Sequence, residues 1–599
     1  MKRYGLILET GIVEAQKVID VALGREKADL AIVDGTVLNV YTGEFLEQCS
    51  VAVKGEWIAY VGPNPEKNIG QETEIIDARG KILIPGLIDG HAHLADFQYS
   101  PAEFLRYAMV GGTTTIITET IEPYPISGYE GIVDFLAALQ DQPIKIFATA
   151  PAMASTSSRV HGLPKETLKK LLSRDDILGF GESYWQAVLQ EPEKFLPNYE
   201  ETLRFGKHLE GHSAGARGRK LMAYLAPGIS SCHEPINAEE ALERLRLGIH
   251  VMIREGGMRK DLEAIAELRY SGIDPRRLIL VTDGVVAEDL LETGYMEGVV
   301  QKAIDCGFDP VEAIRMSTLN VAEYFCLDGI IGGIAPGRYA DMVIIPDADR
   351  IKAECVISKG RVIAREGRLL VSPRDHTFSR ESLNSIKLSG NIQPKDFTIP
   401  IPPEVTSVNI RVIDQVSDLV TKELVTDFPV IGGEIRPDTG RDILKVAAVD
   451  RRFSPGKTFV GLIRGFKLRT GAIASSGAWE TANIIVVGEN EEDMAGAVNR
   501  IRDLKGGIVV CAGGKILAEM PLPIFGLMTD IAMPELIGRT SKLSMAIKDL
   551  GFPFRDPLRT LVTLTGAAIP FLRISEEGLI DIKEGGILDL IIDPSQSLK

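Results

Sequence analysis

The sequence predicts an α/β protein: a (β/α)8 TIM-type barrel joined to a small composite β domain and a C-terminal α/β domain. Three observations carry that reading. Eight short apolar runs alternate with helical segments across residues 81–329, strand-rich stretches with glycine turns lie on both sides of that region, and a polar stretch then introduces a second alternation of strands and helices.

In chain order, residues 10–23 place apolar side chains at helical spacing, so residues 1–25 are expected to form an N-terminal helix. DLAIVDGTVLNV and SVAVKGEWIAYVG alternate in the manner of strands, and residues 26–80 are assigned to the composite β domain. The eight barrel runs are KILIPGLID, TTTIITE, IKIFATA, ILGFGES, GKHLEGHS, GISSCHE, HVMIREG and LILVTDG. Segments such as PAEFLRYAMV, KETLKKLLSR, AEEALERLRL and MRKDLEAIAELR supply helices between them. The length suits one barrel, and neither a G-x-G-x-x-G turn nor a P-loop supports an open nucleotide-binding sheet. GGIAPGRYADMVIIPDADRIKAECVISKGRVIAREG returns to strand character, so residues 330–370 are expected to rejoin the composite domain. Residues 371–400, rich in Ser, Pro and Asn, read as a linker, and residues 401–599 as the C-terminal domain.

Composition narrows the function. At 599 residues the chain exceeds a single core. Its 83 acidic against 66 basic residues leave a net charge of −17, which disfavours nucleic acid and anionic membranes but not a small neutral substrate. Six scattered cysteines without a C-x-x-C pair suit a reducing compartment. Glu9, Glu14 and Asp20 interrupt the segment where a signal peptide needs an apolar core, and no apolar run reaches membrane-spanning length. A cytoplasmic location is expected.

The sharpest chemical signal is Asp89-Gly90-His91-Ala92-His93 at the end of the first barrel run. Strand side chains alternate, so His91 and His93 share a side and suit one divalent cation at the barrel mouth. Taken alone, an H-x-H is as often a pair of hydrogen-bonded structural histidines. The chain has only eight histidines, and His212 and His233 end the fifth and sixth runs, while Glu182 and Asp283 end the fourth and eighth. Six candidate ligands therefore converge where barrel active sites are built. Glu182 suits a bridge between two ions, and the ions together would lower the pKa of a shared water. Asp283 is the candidate proton shuttle. Such a set supports hydrolysis at an sp2 carbon bearing nitrogen. His208 lies earlier in its strand and His250 opens another, so both read as packing or surface residues. Glu122, Arg254 and Glu255, near strand ends, are candidates for acid–base or substrate contact, with salt bridging as the bland alternative. Cys232 reads as a spacer, and Trp479 as core unless its domain reaches the barrel mouth.

PGLIDGHAHL, GFGES, GHSAG, GISSCHE, VMIREGG, LVTDG, STLNVAEYF and GGIAPGRYADMVI resemble the amidohydrolase superfamily. Their order resembles the adenine deaminase family in particular, and RDILKVAAVDR, GFKLRTGAIASS, NIIVVG, DMAGAVNR and EMPLPIFGLMTD extend the likeness nearly to the C-terminus. The resemblance implies conversion of adenine to hypoxanthine and ammonia at a binuclear site, commonly of Mn2+ or Fe2+, with Zn2+ also compatible with the ligands. A small purine base is the expected partner and a homo-oligomer the expected assembly. Several positions depart from the family pattern: Ile121 replaces His, Cys232 and Gly284 replace Asp, Arg452-Phe453 replaces His-His, and Trp479-Glu480-Thr481-Ala482 replaces His-Asp-Ser-His. The rival readings are a relative acting on another cyclic amidine or amide, and a non-catalytic metal-binding barrel.

Overall fold

The computed structural model describes residues 4–96, 98–569 and 571–592. Eight parallel strands form the barrel: β1 Leu87–Ala92, β2 Thr113–Thr118, β3 Lys145–Ala150, β4 Ile177–Tyr184, β5 His208–His212, β6 Ser231–Cys232, β7 His250–Arg254 and β8 Leu278–Val281. Strands β1 to β5 pair in chain order, as do β6 to β8. Two seams close the ring. Ser230 donates its N–H to the Leu209 carbonyl at 3.0 Å, and Asp283 donates to the His91 carbonyl at 3.0 Å. Asp89 reinforces the second seam by accepting from the Thr282 and Tyr295 hydroxyls, each at 2.5 Å.

The barrel interior is apolar. Ile88, Ile117, Leu178, Met252 and Ile279 belong to one buried cluster although they come from five different strands, so they meet across the ring. Helices such as Pro101–Ala108, Lys165–Leu172 and Ala238–Arg246 cover the outside. Ser100 and Asn237 cap two of them by accepting backbone N–H groups three residues on.

The first barrel run is two strands rather than one. Ile82–Pro85 pairs antiparallel with Met342–Ile345 in a separate nine-stranded sheet, which also holds Leu30–Asn39, Glu44–Lys54, Trp57–Gly62 and Cys355–Ser358. Gly86 is the break: a Cβ there would lie 2.1 Å from Thr114 Oγ1, so only glycine lets the chain pass from one sheet to the other. At the N-terminus, helices Leu6–Thr10 and Ile12–Ala22 meet at Gly11, and Val18 and Val21 face the core.

Beyond residue 400 a second nine-stranded sheet is mostly antiparallel, whereas alternating strands and helices suggested a more evenly mixed α/β domain. Short connections explain the difference: Gly513-Gly514, both at positive φ, join Gly507–Ala512 directly to Lys515–Pro521. Both faces are covered. Leu444, Val446, Ile485, Val487 and Val510 pack into the core continuous with the barrel, while Ala447, Val449, Val486 and Val509 pack under helix Glu491–Leu504. Residues two apart share a side, and the central strands such as Asn483–Gly488 and Gly507–Ala512 are mainly apolar on both. The polar stretch before this sheet is largely irregular, but Phe378, Ile386, Leu388 and Ile392 anchor it in the core. Among the described residues, no helix is long and apolar enough to cross a membrane.

Candidate active site

The C-terminal ends of the barrel strands bring the six candidate ligands together. His91 and His93 leave β1 with ring centroids 5.2 Å apart, and His91 stacks on His233 at 4.2 Å. His93 Nε2 lies 3.3 Å from Asp283 Oδ1 and 3.8 Å from Glu182 Oε1. His91 Nε2 lies 3.4 Å from Asp283 Oδ1, and His233 Nε2 lies 3.0 Å from Glu182 Oε2. His212 sits edge-on to His233 at 5.3 Å. Asp283 adopts a left-handed backbone, φ 58°, which aims its carboxylate at both β1 imidazoles.

These separations fit divalent cations. Two N or O ligands about 2.1 Å from one tetrahedral ion stand about 3.4 Å apart. The sets His91/His93/Glu182, Glu182/His212/His233 and His91/His233/Asp283 each offer donor atoms within 4.8 Å of one another. Glu182 belongs to two sets and divides its oxygens between His93 and His233. His91 Nε2 and His212 Nδ1 are buried without a hydrogen-bond partner in the protein, as befits metal-binding nitrogens.

The electrostatics point the same way. Burial opposes ionisation of Glu182, but a hydrogen bond from His233 and the charges of His212 and His93 hold it down at about 2. Burial and His233 oppose protonation of His91, yet Asp283 and Glu210 carry it up to about 9. Carboxylates thus stay ionised in this buried place beside the histidines, a donor set that a bound cation would suit.

Three further carboxylates belong to this centre. Glu210 Oε2 stands 3.5 Å and Glu119 Oε1 4.0 Å from His91 Nδ1, and Glu119 also accepts the Glu182 N–H at 3.1 Å. Glu234 Oε1 lies 3.2 Å from His212 Nε2 and 3.3 Å from His233 Nε2. Glu210 lies inside β5 and Glu119 directly follows β2, and burying a carboxylate at either place is costly unless it has a partner. That cost was the available signal.

The other candidates separate clearly. Glu122 borders the cavity and pairs with His93 Nδ1 at 2.5 Å, fixing that ring. Arg254 borders it too, but its guanidinium is committed to Glu234, to Asp261 at 3.1 Å and to Asp283 at 3.2 Å. Glu255 does not reach the cavity. As the next residue along the chain it turns away from Arg254 and lines a different cleft with Lys260 and Lys302. His208 and His250, at the opposite strand ends, both pack on Tyr324, and burial holds each down at about 4. Buried Cys232 contacts Ser213 Oγ at 2.8 Å and accepts the Glu234 N–H at 3.3 Å.

A cavity of about 190 Å3 lies over this floor. Its opposite wall comes from the C-terminal sheet region: Leu419, Val420, Ala478, Trp479, Glu480, Leu527, Ala568 and Ile569. Trp479 therefore reaches the barrel mouth, where its indole N–H is shared by the two Asp96 carboxylate oxygens at 3.2 Å each. Glu480 accepts from the Tyr184 hydroxyl at 2.6 Å and from the Ala567 N–H at 2.5 Å.

Comparison with known proteins agrees with this architecture. Residues 82–363 match the amidohydrolase family and residues 418–585 the adenine deaminase C-terminal domain. The adenine deaminase of Moorella thermoacetica is 35% identical over 96% of this chain and 98% of its own. Adenine deaminase 3 of Rhizobium meliloti is 34% identical over 96% and 98%, and the adenine deaminase of Cenarchaeum symbiosum 34% over 95% and 94%. A metal-dependent hydrolase of carbon–nitrogen bonds built on a TIM-type barrel, this chain belongs to the adenine deaminase family.

Proposed function

We propose that the protein converts adenine and water to hypoxanthine and ammonia, using two divalent cations held by His91, His93, Glu182, His212, His233 and Asp283. One observation carries the reading: five of the six, His93, Glu182, His212, His233 and Asp283, line a cavity of about 190 Å3, His91 groups with them, and the C-terminal domain covers the cavity with mainly apolar side chains. That space is smaller than the roughly 300–1,000 Å3 of drug-sized pockets and suits a flat free base. Mn2+ or Fe2+ is the preferred metal, with Zn2+ compatible with the same donors.

When bound, the cations supply a water acidified to near neutrality and a charge that steadies the attacking oxygen. The side chains do the rest. Asp283, anchored by Arg254, holds the proton released by that water and hands it to the departing amine. Glu122 fixes the His93 ring rather than acting as an acid, and Glu119 and Glu210 fix His91. Trp479 offers a planar face for the base. Ammonia release from adenine by metal-replete protein, measured beside other purines, pyrimidines and cyclic ureas, tests the reading. Activity on another cyclic nitrogen compound and none on adenine would overturn the substrate while leaving the hydrolase.

A further inference from the structure

Among the described residues that the C-terminal domain contributes to the cavity wall, Glu480 alone has an ionisable side chain; the others are Trp479 and six aliphatic residues. Glu480 is buried and held in a left-handed backbone conformation, φ 57°, which a non-glycine residue adopts at a cost. Its two oxygens receive one hydrogen bond each, from Tyr184 and from the Ala567 N–H, so each keeps a further direction for hydrogen bonding. Tyr184 follows Glu182 along β4 and packs edge-on to His212 at 4.9 Å, which fixes Glu480 relative to the metal ligands.

Adenine has a matching edge. C6 and N3 lie across the six-membered ring from one another, so a base with C6 toward the floor turns N3 toward the opposite wall. There N3 accepts a hydrogen bond and the neighbouring N9–H donates one, a pattern that a carboxyl group complements. Resting on the adenine reading above, we propose that Glu480 is a specificity residue that binds the N3/N9–H edge of a free purine base. The roles are then divided: the barrel supplies the chemistry and the C-terminal domain reads the substrate. Burial first, with the charge of Glu182, pushes Glu480 up to about 8 against the opposing Tyr184, Ala567 and Arg573. In the protonated form the carboxyl supplies the hydrogen that N3 accepts.

The test compares adenine with 3-deazaadenine, the same shape without the N3 acceptor, in the wild type and in Glu480→Leu and Glu480→Gln. The wild type should show a KM for 3-deazaadenine at least about tenfold above that for adenine, the scale of one buried hydrogen bond. In Glu480→Leu the KM for adenine should rise and the ratio collapse to about one, with metal content unchanged. In Glu480→Gln the amide N–H should restore much of the discrimination. A wild-type ratio near one, or a ratio that survives Glu480→Leu, overturns the assignment. If Glu480→Leu does not fold, the wild-type ratio and Glu480→Gln still decide. Wild-type protein that releases no ammonia from adenine defeats the deamination reading, and this inference with it.

Discussion

Arg254 donates to Asp283 Oδ2 at 3.2 Å while the other oxygen of that carboxylate faces His91 and His93 at 3.4 and 3.3 Å. One arginine thereby orients the proposed proton carrier and also neutralises Glu234 and Asp261 in a fully buried network. Arg254→Met should remove that cation and leave the carboxylates uncompensated. The expected loss of stability is about 3–5 kcal/mol, the scale for breaking a buried ion pair from one side. Thermal unfolding checks it; an unchanged transition temperature would show that the network carries little weight.

Asp283→Asn keeps the shape of the side chain but removes its capacity to carry a proton. Turnover should fall on the order of a hundredfold or more, within the range for lost general acid–base catalysis. Near-normal turnover would move the role to another carboxylate, with Glu234 the best placed.

Glu255 provides the contrasting control. Its side chain lies in a cleft with Lys260 and Lys302, away from the ligands. Glu255→Gln should therefore leave kcat and KM for adenine within a few-fold of wild type. A loss comparable to that of Asp283→Asn would return Glu255 to the site.

What could be read from the sequence divides along physical lines. The six candidate ligands were legible because each lies at the end of an apolar run, and parallel strands put their C-terminal ends at one mouth. Gly86 was not: KILIPGLID reads as one strand, and only the clash with Thr114 shows why the chain changes sheet there. Glu210 lies inside its strand, where a carboxylate resembles an interruption, and Glu119 ends the run TTTIITE without a histidine beside it; their burial next to His91 is what groups them with the site. Arg254 and Glu255 adjoin in sequence, so only the direction of each side chain separates them. The roles of Trp479 and Glu480 depend on the C-terminal sheet docking over the barrel, which no local pattern encodes.

Glu480 also makes a pH prediction. Its folded-state value of about 8 lies above its ordinary 4.5, so the folded state binds a proton that the unfolded chain has lost. Stability from this group is therefore present at low pH and declines as pH rises from about 4.5 to about 8. Glu480→Gln, which has no proton to lose, should show a smaller fall in transition temperature between pH 6 and pH 8.5 than the wild type. An equal fall in both would mean that Glu480 is ionised throughout.

The central claim is that His91, His93, Glu182, His212, His233 and Asp283 form one metal centre, and elemental analysis tests it most directly. Wild-type protein purified with Mn2+ should hold close to two ions per chain, and the His91→Ala, His93→Ala double variant should lose most of that metal while its circular dichroism stays native-like. Full metal occupancy in the folded double variant would contradict the assignment.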